Sequence, residues 1–311
     1  MFLAENSDFS LQVVSYILGY FVIFFIAAMA GMVSERSGVV NIGIEGFMTI
    51  GALIYSICGV YFHPTMGNWS QILGMIFAII GASVYSLLHI LATLKLKCDQ
   101  IISGTAINIL AQGIGLFVVY SGLIGGDTTK IDSTYGQIAA DKGTNAFSIY
   151  LVITIIITCI LGIYFSLTKT GKRHIAAGEN PYALEAAGIS VIKYRFIWVV
   201  ISAGLAGLAG TFFVMIRLQG SFRGDVQGYG FLAMAIMIAG QWRIKYIALF
   251  TLLFSIFFSL SEVVPLKVPS IPTGKWMSAL PFVFSLIAMI VIAKWSKPPA
   301  AIGQPYDKAK R

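Results

Sequence analysis

Two pairs of polar residues stand in otherwise apolar surroundings, each pair four residues apart: Asn41 with Glu45, and Asn108 with Gln112. In a helix that spacing puts both members on one face. A carboxylate at the centre of a membrane helix costs about 2.5–3.5 kcal/mol on insertion scales, so Glu45 must face protein or water, or stay protonated. Gly38, Gly43, Gly46 and Gly51 punctuate the same stretch, 35–52. Glycines let a helix unwind, and irregular backbone is tolerated within a membrane where it lines a cavity. One reading is a broken helix bordering a permeation path. The other is a structural carboxylate bonded to a neighbouring helix. Glu45→Gln is expected to leave folding and insertion largely intact, since the amide keeps hydrogen-bonding capacity while relieving the charge. The amides of Asn108 and Gln112 both donate and accept, which suits a neutral polar solute and interhelical contacts equally.

Other chemistries are poorly served. Cys58, Cys98 and Cys159 are scattered without a CxxC, and His63, His89 and His174 lack ligand spacing, so no metal site or disulfide framework is expected. No GxxxxGK[ST] phosphate-cradling loop occurs, which leaves no ATP site and no cofactor to assign. The net charge of +8 is spread over loops and tail rather than gathered on one strip, which argues against a nucleic-acid partner.

The elements that must carry these residues are membrane helices. Of 311 residues, 58% are apolar and 11% charged, against about 25% charged in soluble domains. Apolar stretches fall at 11–33, 39–62, 70–92, 100–122, 147–168, 193–217, 228–240, 246–264 and 277–295. The stretch at 228–240 is too short for a straight crossing, so the count is eight or nine. The segment ahead of the first stretch is acidic and lacks the basic region of a signal peptide, so that stretch is expected to be a retained span. With the N-terminus outside and nine crossings, fifteen Lys and Arg residues fall on the cytosolic side and six outside. That is the bias of the positive-inside rule. The expected fold is an all-α polytopic transmembrane bundle, residues 1–311 forming one domain, with a basic cytosolic tail at 296–311. The polar segment 123–146 is an outer loop, and Arg217, Arg223 and Asp225 form a second outer patch.

The cytosolic loop 169–195 holds a small helix marked at both ends. Asn180 can cap its start, Pro181 fits the first helical position, and Gly188 fits the left-handed position past its end. A helix of about seven residues does not hold alone in water, so it must lie against something. Tyr182, Ala183, Leu184, Ala186 and Ala187 offer an apolar surface, either for a partner or for the chain's own cytosolic face. The following run SAGLAGLAG, 202–210, sets small residues, among them Ala203, Gly204, Gly207 and Gly210, on close-packing faces.

GENPYALEAAGI followed by SAGLAGLAG resembles the central signature of ABC importer permeases of the branched-chain amino acid/ribose/nucleoside group. GVVNIGIEGFMTIGA at 38–52 looks like the nucleoside branch, particularly purine nucleoside importers, and GYGFLAMAIMIAG at 228–240 is similar to the late Gly-rich segment. Gln241-Trp242-Arg243 departs from the proline-containing turn common in relatives. The resemblance implies a non-enzymatic subunit of a bacterial plasma membrane importer. It would form half the translocation path with a second permease subunit, a cytosolic ATPase and an extracellular solute-binding lipoprotein. The helix around Asn180, Pro181, Ala183, Glu185, Ala186 and Gly188 would couple it to the ATPase. Asn41, Glu45, Asn108 and Gln112 do not choose between a nucleoside, a sugar and a branched-chain amino acid as the small-molecule solute. An ion-coupled secondary transporter, with Glu45 as its titrating carboxylate, is the alternative of a different class.

Overall fold

The computed structural model describes residues 2–133, 148–267, 274–294 and 296–306. Eleven α-helices occur among them: α1 (Phe2–Glu35), α2 (Ile44–Met66), α3 (Ser70–Ile90), α4 (Gln100–Tyr120), α5 (Ile149–Leu167), α6 (Lys169–Glu179), α7 (Pro181–Ala186), α8 (Val191–Phe212), α9 (Tyr229–Ala239), α10 (Ile244–Lys267) and α11 (Gly274–Ala293). Residues 134–147, which include most of the segment expected as an outer loop (123–146), the end of the basic tail from 307, and the side chains of Lys267 and Lys275 lie outside the described residues.

Six helical runs among the described residues are long and apolar enough to cross a membrane: Val13–Glu35, Ile44–Lys95, Gln100–Tyr120, Ile149–Leu167, Val191–Arg217 and Ile244–Val263. The second, at 52 residues, is two helices: Gly67 takes φ +55° between α2 and α3, which pack against each other. Shorter apolar helices cover Tyr229–Ala239 and Ala279–Val291.

α1 is the hub. Its residues 22–33 are buried on every side, against α8, α9 and α10, as expected of a helix apolar all round. α5 is peripheral and exposes Val152, Ile155, Ile156, Ile160 and Ile163. Apolar side chains turned outward suit contact with lipid rather than water. Several buried hydroxyls are satisfied within their own helices: Ser56 Oγ donates to the Ala52 carbonyl, Thr154 Oγ1 to Tyr150 and Thr251 Oγ1 to Ile247.

Two sequence expectations need correction. Residues 169–179 form the helix α6 rather than a loop, because Thr168 caps its start by accepting from Gly171 N and His174 buries one face. A two-residue antiparallel pair also occurs, β1 (Ile131–Asp132) with β2 (Ser221–Phe222), joining Ile131 to Phe222.

Candidate functional site: interior helix starts and a capped end of the bundle

Helices α4, α5, α6, α7 and α8 begin with local caps, the side chains of Asp99, Ser148, Thr168, Asn180 and Ser190 accepting from their own first turns. α2 and α9 begin at Gly43 and Gly228 without one. The first N–H groups of a helix have no intrahelical acceptor and need partners when buried. Here they are supplied from elsewhere in the chain. Asn108 of α4 accepts from Gly46 N (2.8 Å) through Oδ1 and donates to the Ile42 carbonyl (2.8 Å) through Nδ2, holding the non-helical segment 36–43 to the start of α2. Glu45 then caps α9: its Oε1 accepts from Gly228 N (2.6 Å) and its Oε2 from Gly230 N (2.7 Å). A carboxylate at a helix N-terminus is also favoured by the helix dipole. Gly230 is required by this approach, since a Cβ there would lie 2.6 Å from the Glu45 Cα.

The segment 218–228 reaches this point through irregular backbone, with Gln219, Gly220, Gly224, Gln227 and Gly228 all at positive φ. It touches α4 on the way, where Gly224 packs on Gly115 and Leu116 and Asp225 Oδ2 accepts from Gln112 Nε2 (3.2 Å). Irregular backbone and the 11-residue α9 thus replace a straight helix over 218–239.

The four polar residues singled out by spacing are therefore unequal. Asn41 is buried and donates to Ser202 Oγ (2.7 Å), which donates to the Ala30 carbonyl. Asn108 is buried and engaged with backbone, Glu45 is half-buried, and Gln112 is exposed. Arg217 pairs with Glu262 at 2.9 Å.

The small residues of α8 face other helices of the same chain. Gly204 lies against Ser83 and Ile79 of α3, Gly207 against Ala78 and Ala82 of α3 and Gly51 of α2, and Gly210 against Met48 of α2, while Ala203 is fully buried.

At the end of the bundle where α1 stops, α6, α7 and the segment 296–306 assemble a cap. Asn180 Oδ1 accepts from Ala183 N (3.0 Å), Pro181 takes the first position, and Gly188 sits at φ +78°. Leu184 is buried with Ala177 and Val191, so the inner face of α7 docks on its own chain. Tyr182, Ala183, Ala186 and Ala187 face outward. Glu185 Oε2 accepts from Val191 N (3.1 Å) and ties α7 to α8. Arg195 is fully buried, its Nε donating to the Ser37 carbonyl (3.2 Å) and its Nη1 to the Gln304 carbonyl (2.9 Å). Ala301 N donates to the Gly178 carbonyl, Gly303 N to the Gly38 carbonyl, and the Tyr306 ring lies 5.5 Å from that of Tyr182. Glu35 is buried, and its Oε2 accepts from Trp242 Nε1 (2.6 Å). Charge patterning missed these roles for Arg195 and Glu35; their positions beside small and apolar residues were the available signal.

His174 anchors α6. Its Nε2 lies 2.9 Å from the Val33 carbonyl, and its ring stacks on Trp198 at 4.4 Å. Burial pushes the imidazole down to about 3, against about 6.5 in an unfolded chain. Below pH 6.5 the undocked helix therefore gains a proton that the docked one refuses, so docking weakens as pH falls towards 3. Between pH 7 and pH 5 the loss is about 2 kcal/mol. Hydrogen exchange over 169–179 should accelerate at pH 5 beyond its intrinsic pH dependence, and His174→Gln should remove that excess. Equal protection at both pH values would contradict the assignment.

The Lactococcus lactis nucleoside ABC transporter permease protein NupC is 30% identical over 91% of this chain and 92% of its own length. The guanosine ABC transporter permease protein NupQ of Bacillus subtilis is 32% identical over 92% and 93%. A Mycoplasma pneumoniae protein, the uncharacterized MG121 homolog, is 34% identical over 92% and 93%. No solved structure matches. The family model described as "Branched-chain amino acid transport system / permease component" matches residues 13–293, a stretch that takes in the interior helix starts and the cap helices α6 and α7. The chain belongs to that permease family, a multi-pass membrane subunit of an ABC transporter and not an enzyme.

Proposed function

We propose that this chain is one of two permease subunits enclosing the import path for nucleosides across a bacterial plasma membrane. A separate cytosolic ATPase drives it, and an extracellular lipoprotein delivers the solute. The observation that carries the coupled-pore reading is α7, capped at both ends, anchored on its inner side and turned outward through Tyr182, Ala183, Ala186 and Ala187. Asn180, Pro181 and Gly188 give it its shape, Glu185 fixes it to α8, and Ala183 and Ala186 meet the ATPase. The cargo follows from the nucleoside and guanosine permeases among the relatives. Gln112, exposed and bonded to Asp225, borders the path, while Asn41, Glu45 and Asn108 hold its walls. Nine crossings with the N-terminus outside are supported by the fifteen-to-six charge asymmetry and by the hydrogen bonds that draw 36–38, 178, 241–242 and 297–304 to one end. The loop 169–195 and the tail 296–311 are then cytosolic.

The test uses cells carrying all components of the system. Labelled guanosine should enter, unlabelled adenosine should compete, glucose and leucine should not, and ATP depletion should stop uptake. Ala183→Lys and Ala186→Lys place charge on the outward face of α7 without touching its caps. Each should leave permease levels unchanged while cutting ATPase recovered per permease, and uptake with it, roughly tenfold, the loss of about 1.4 kcal/mol of docking. Unchanged ratios for both variants would refute the coupling role. Glucose entering in place of guanosine would refute the cargo.

A further inference from the structure

A cavity of about 560 Å³ opens between the end of α1, the α9–α10 turn and the segment 296–306. Three cations line it, Arg36, Arg243 and Lys297, against a single acid, Glu179. Arg36 spends Nε and Nη2 on the Trp242 carbonyl (3.1 and 2.7 Å). Arg243 and Lys297 are exposed, and among the described residues no carboxylate lies within salt-bridge distance of either. Burial lowers the proton affinity of the Arg36 guanidinium; Glu179 opposes this and Arg243 adds to it. Three cations against one carboxylate leave the lining with a net positive charge. Gln241 Nε2, also at the lining, is a buried donor without an acceptor. The cavity therefore asks for an anion rich in acceptor oxygens.

Its other wall is apolar. Tyr246 lines it, and the exposed Leu249 and Leu252 continue from there along the outside of α10. A free anion has no use for such a wall, whereas a phospholipid lays its acyl chains there once its phosphate is seated. Basic pockets at the ends of membrane helices hold anionic headgroups on the same principle.

We infer that the cavity lined by Arg36, Arg243, Lys297 and Gln241 is a binding site for the phosphate of an anionic phospholipid, whose chains run along α10. Glu179 borders both this cavity and the Asn180 cap of α7, so an occupied site braces the start of α7.

The chain is purified in detergent, stripped of lipid and titrated with phosphatidylglycerol, with phosphatidylcholine of the same chains, or with inorganic phosphate. Retained lipid is read by native mass spectrometry and stabilisation by thermal unfolding. The unmodified chain should prefer phosphatidylglycerol, and Arg243→Gln with Lys297→Gln should weaken its binding about tenfold or more. Lys245→Gln removes a neighbouring exposed charge that does not line the cavity, and should change nothing. Each single variant should lose part of the preference, which keeps the result readable if the double variant unfolds. Equal binding by the double variant, equal binding of phosphatidylcholine, or displacement of the lipid by inorganic phosphate would each overturn the assignment. None of these outcomes depends on what the permease carries.

Discussion

Glu45→Leu is expected to destabilise the purified chain by about 2–6 kcal/mol and to abolish most uptake. The side chain accepts from Gly228 N and Gly230 N across 183 and 185 residues of sequence, and each buried donor left without an acceptor costs about 1–3 kcal/mol. The structure revises the expectation that Gln is harmless here. An amide offers one acceptor, and its NH2 would meet the other N–H, so Glu45→Gln should fall about midway. Thermal unfolding gives the energies, and hydrogen exchange at Gly228 and Gly230 locates them. A Leu variant as stable as the unmodified chain, with both amides still protected, would remove Glu45 from its place as the cap of α9.

The second large effect belongs to the contact between α2 and α8. A Cβ added to Gly51 would overlap the Gly207 backbone, and one added to Gly210 would overlap the Met48 carbonyl. Backbone cannot swing aside as a flexible side chain can, so the helices must separate, and the seam they share is broken. Overpacking usually costs 1–3 kcal/mol; Gly51→Val should reach about 3 kcal/mol or more and lower the amount of folded protein in the membrane. Gly162→Ala on α5, where nothing lies within 4 Å of the added Cβ, should be neutral or stabilising by up to about 1 kcal/mol. Similar melting temperatures for the two variants would mean that the seam yields more easily than its geometry allows.

What could be read from the sequence was what the chain encodes locally. The long apolar runs gave the bundle, and Asn180, Pro181 and Gly188 gave α7 because a cap, a first-turn proline and a left-handed glycine act within one turn of the helix they bound. Thr168 carried the same kind of signal for α6 and was passed over, because KTGKRH reads as a polar loop until His174 is known to be buried. The interior starts of α2 and α9 had no local sign, since Asn108 and Glu45 act on segments far away in sequence. Four-residue spacing singled out Asn41, Glu45, Asn108 and Gln112 together. It could not tell that Asn41, Glu45 and Asn108 hydrogen-bond inside the bundle while Gln112, exposed, bonds Asp225.

The burial of Arg195 also fixes an order of events during synthesis. Its guanidinium needs the carbonyl of Ser37, made long before it, and that of Gln304, which leaves the ribosome 109 residues later. At about 5–20 residues per second that interval is roughly 5–20 s. Over that interval Arg195 lacks the Gln304 carbonyl, and Tyr182 of α7 lacks the Tyr306 ring. The end of the bundle formed by α6, α7 and 296–306 is therefore complete only after the last helix has been made.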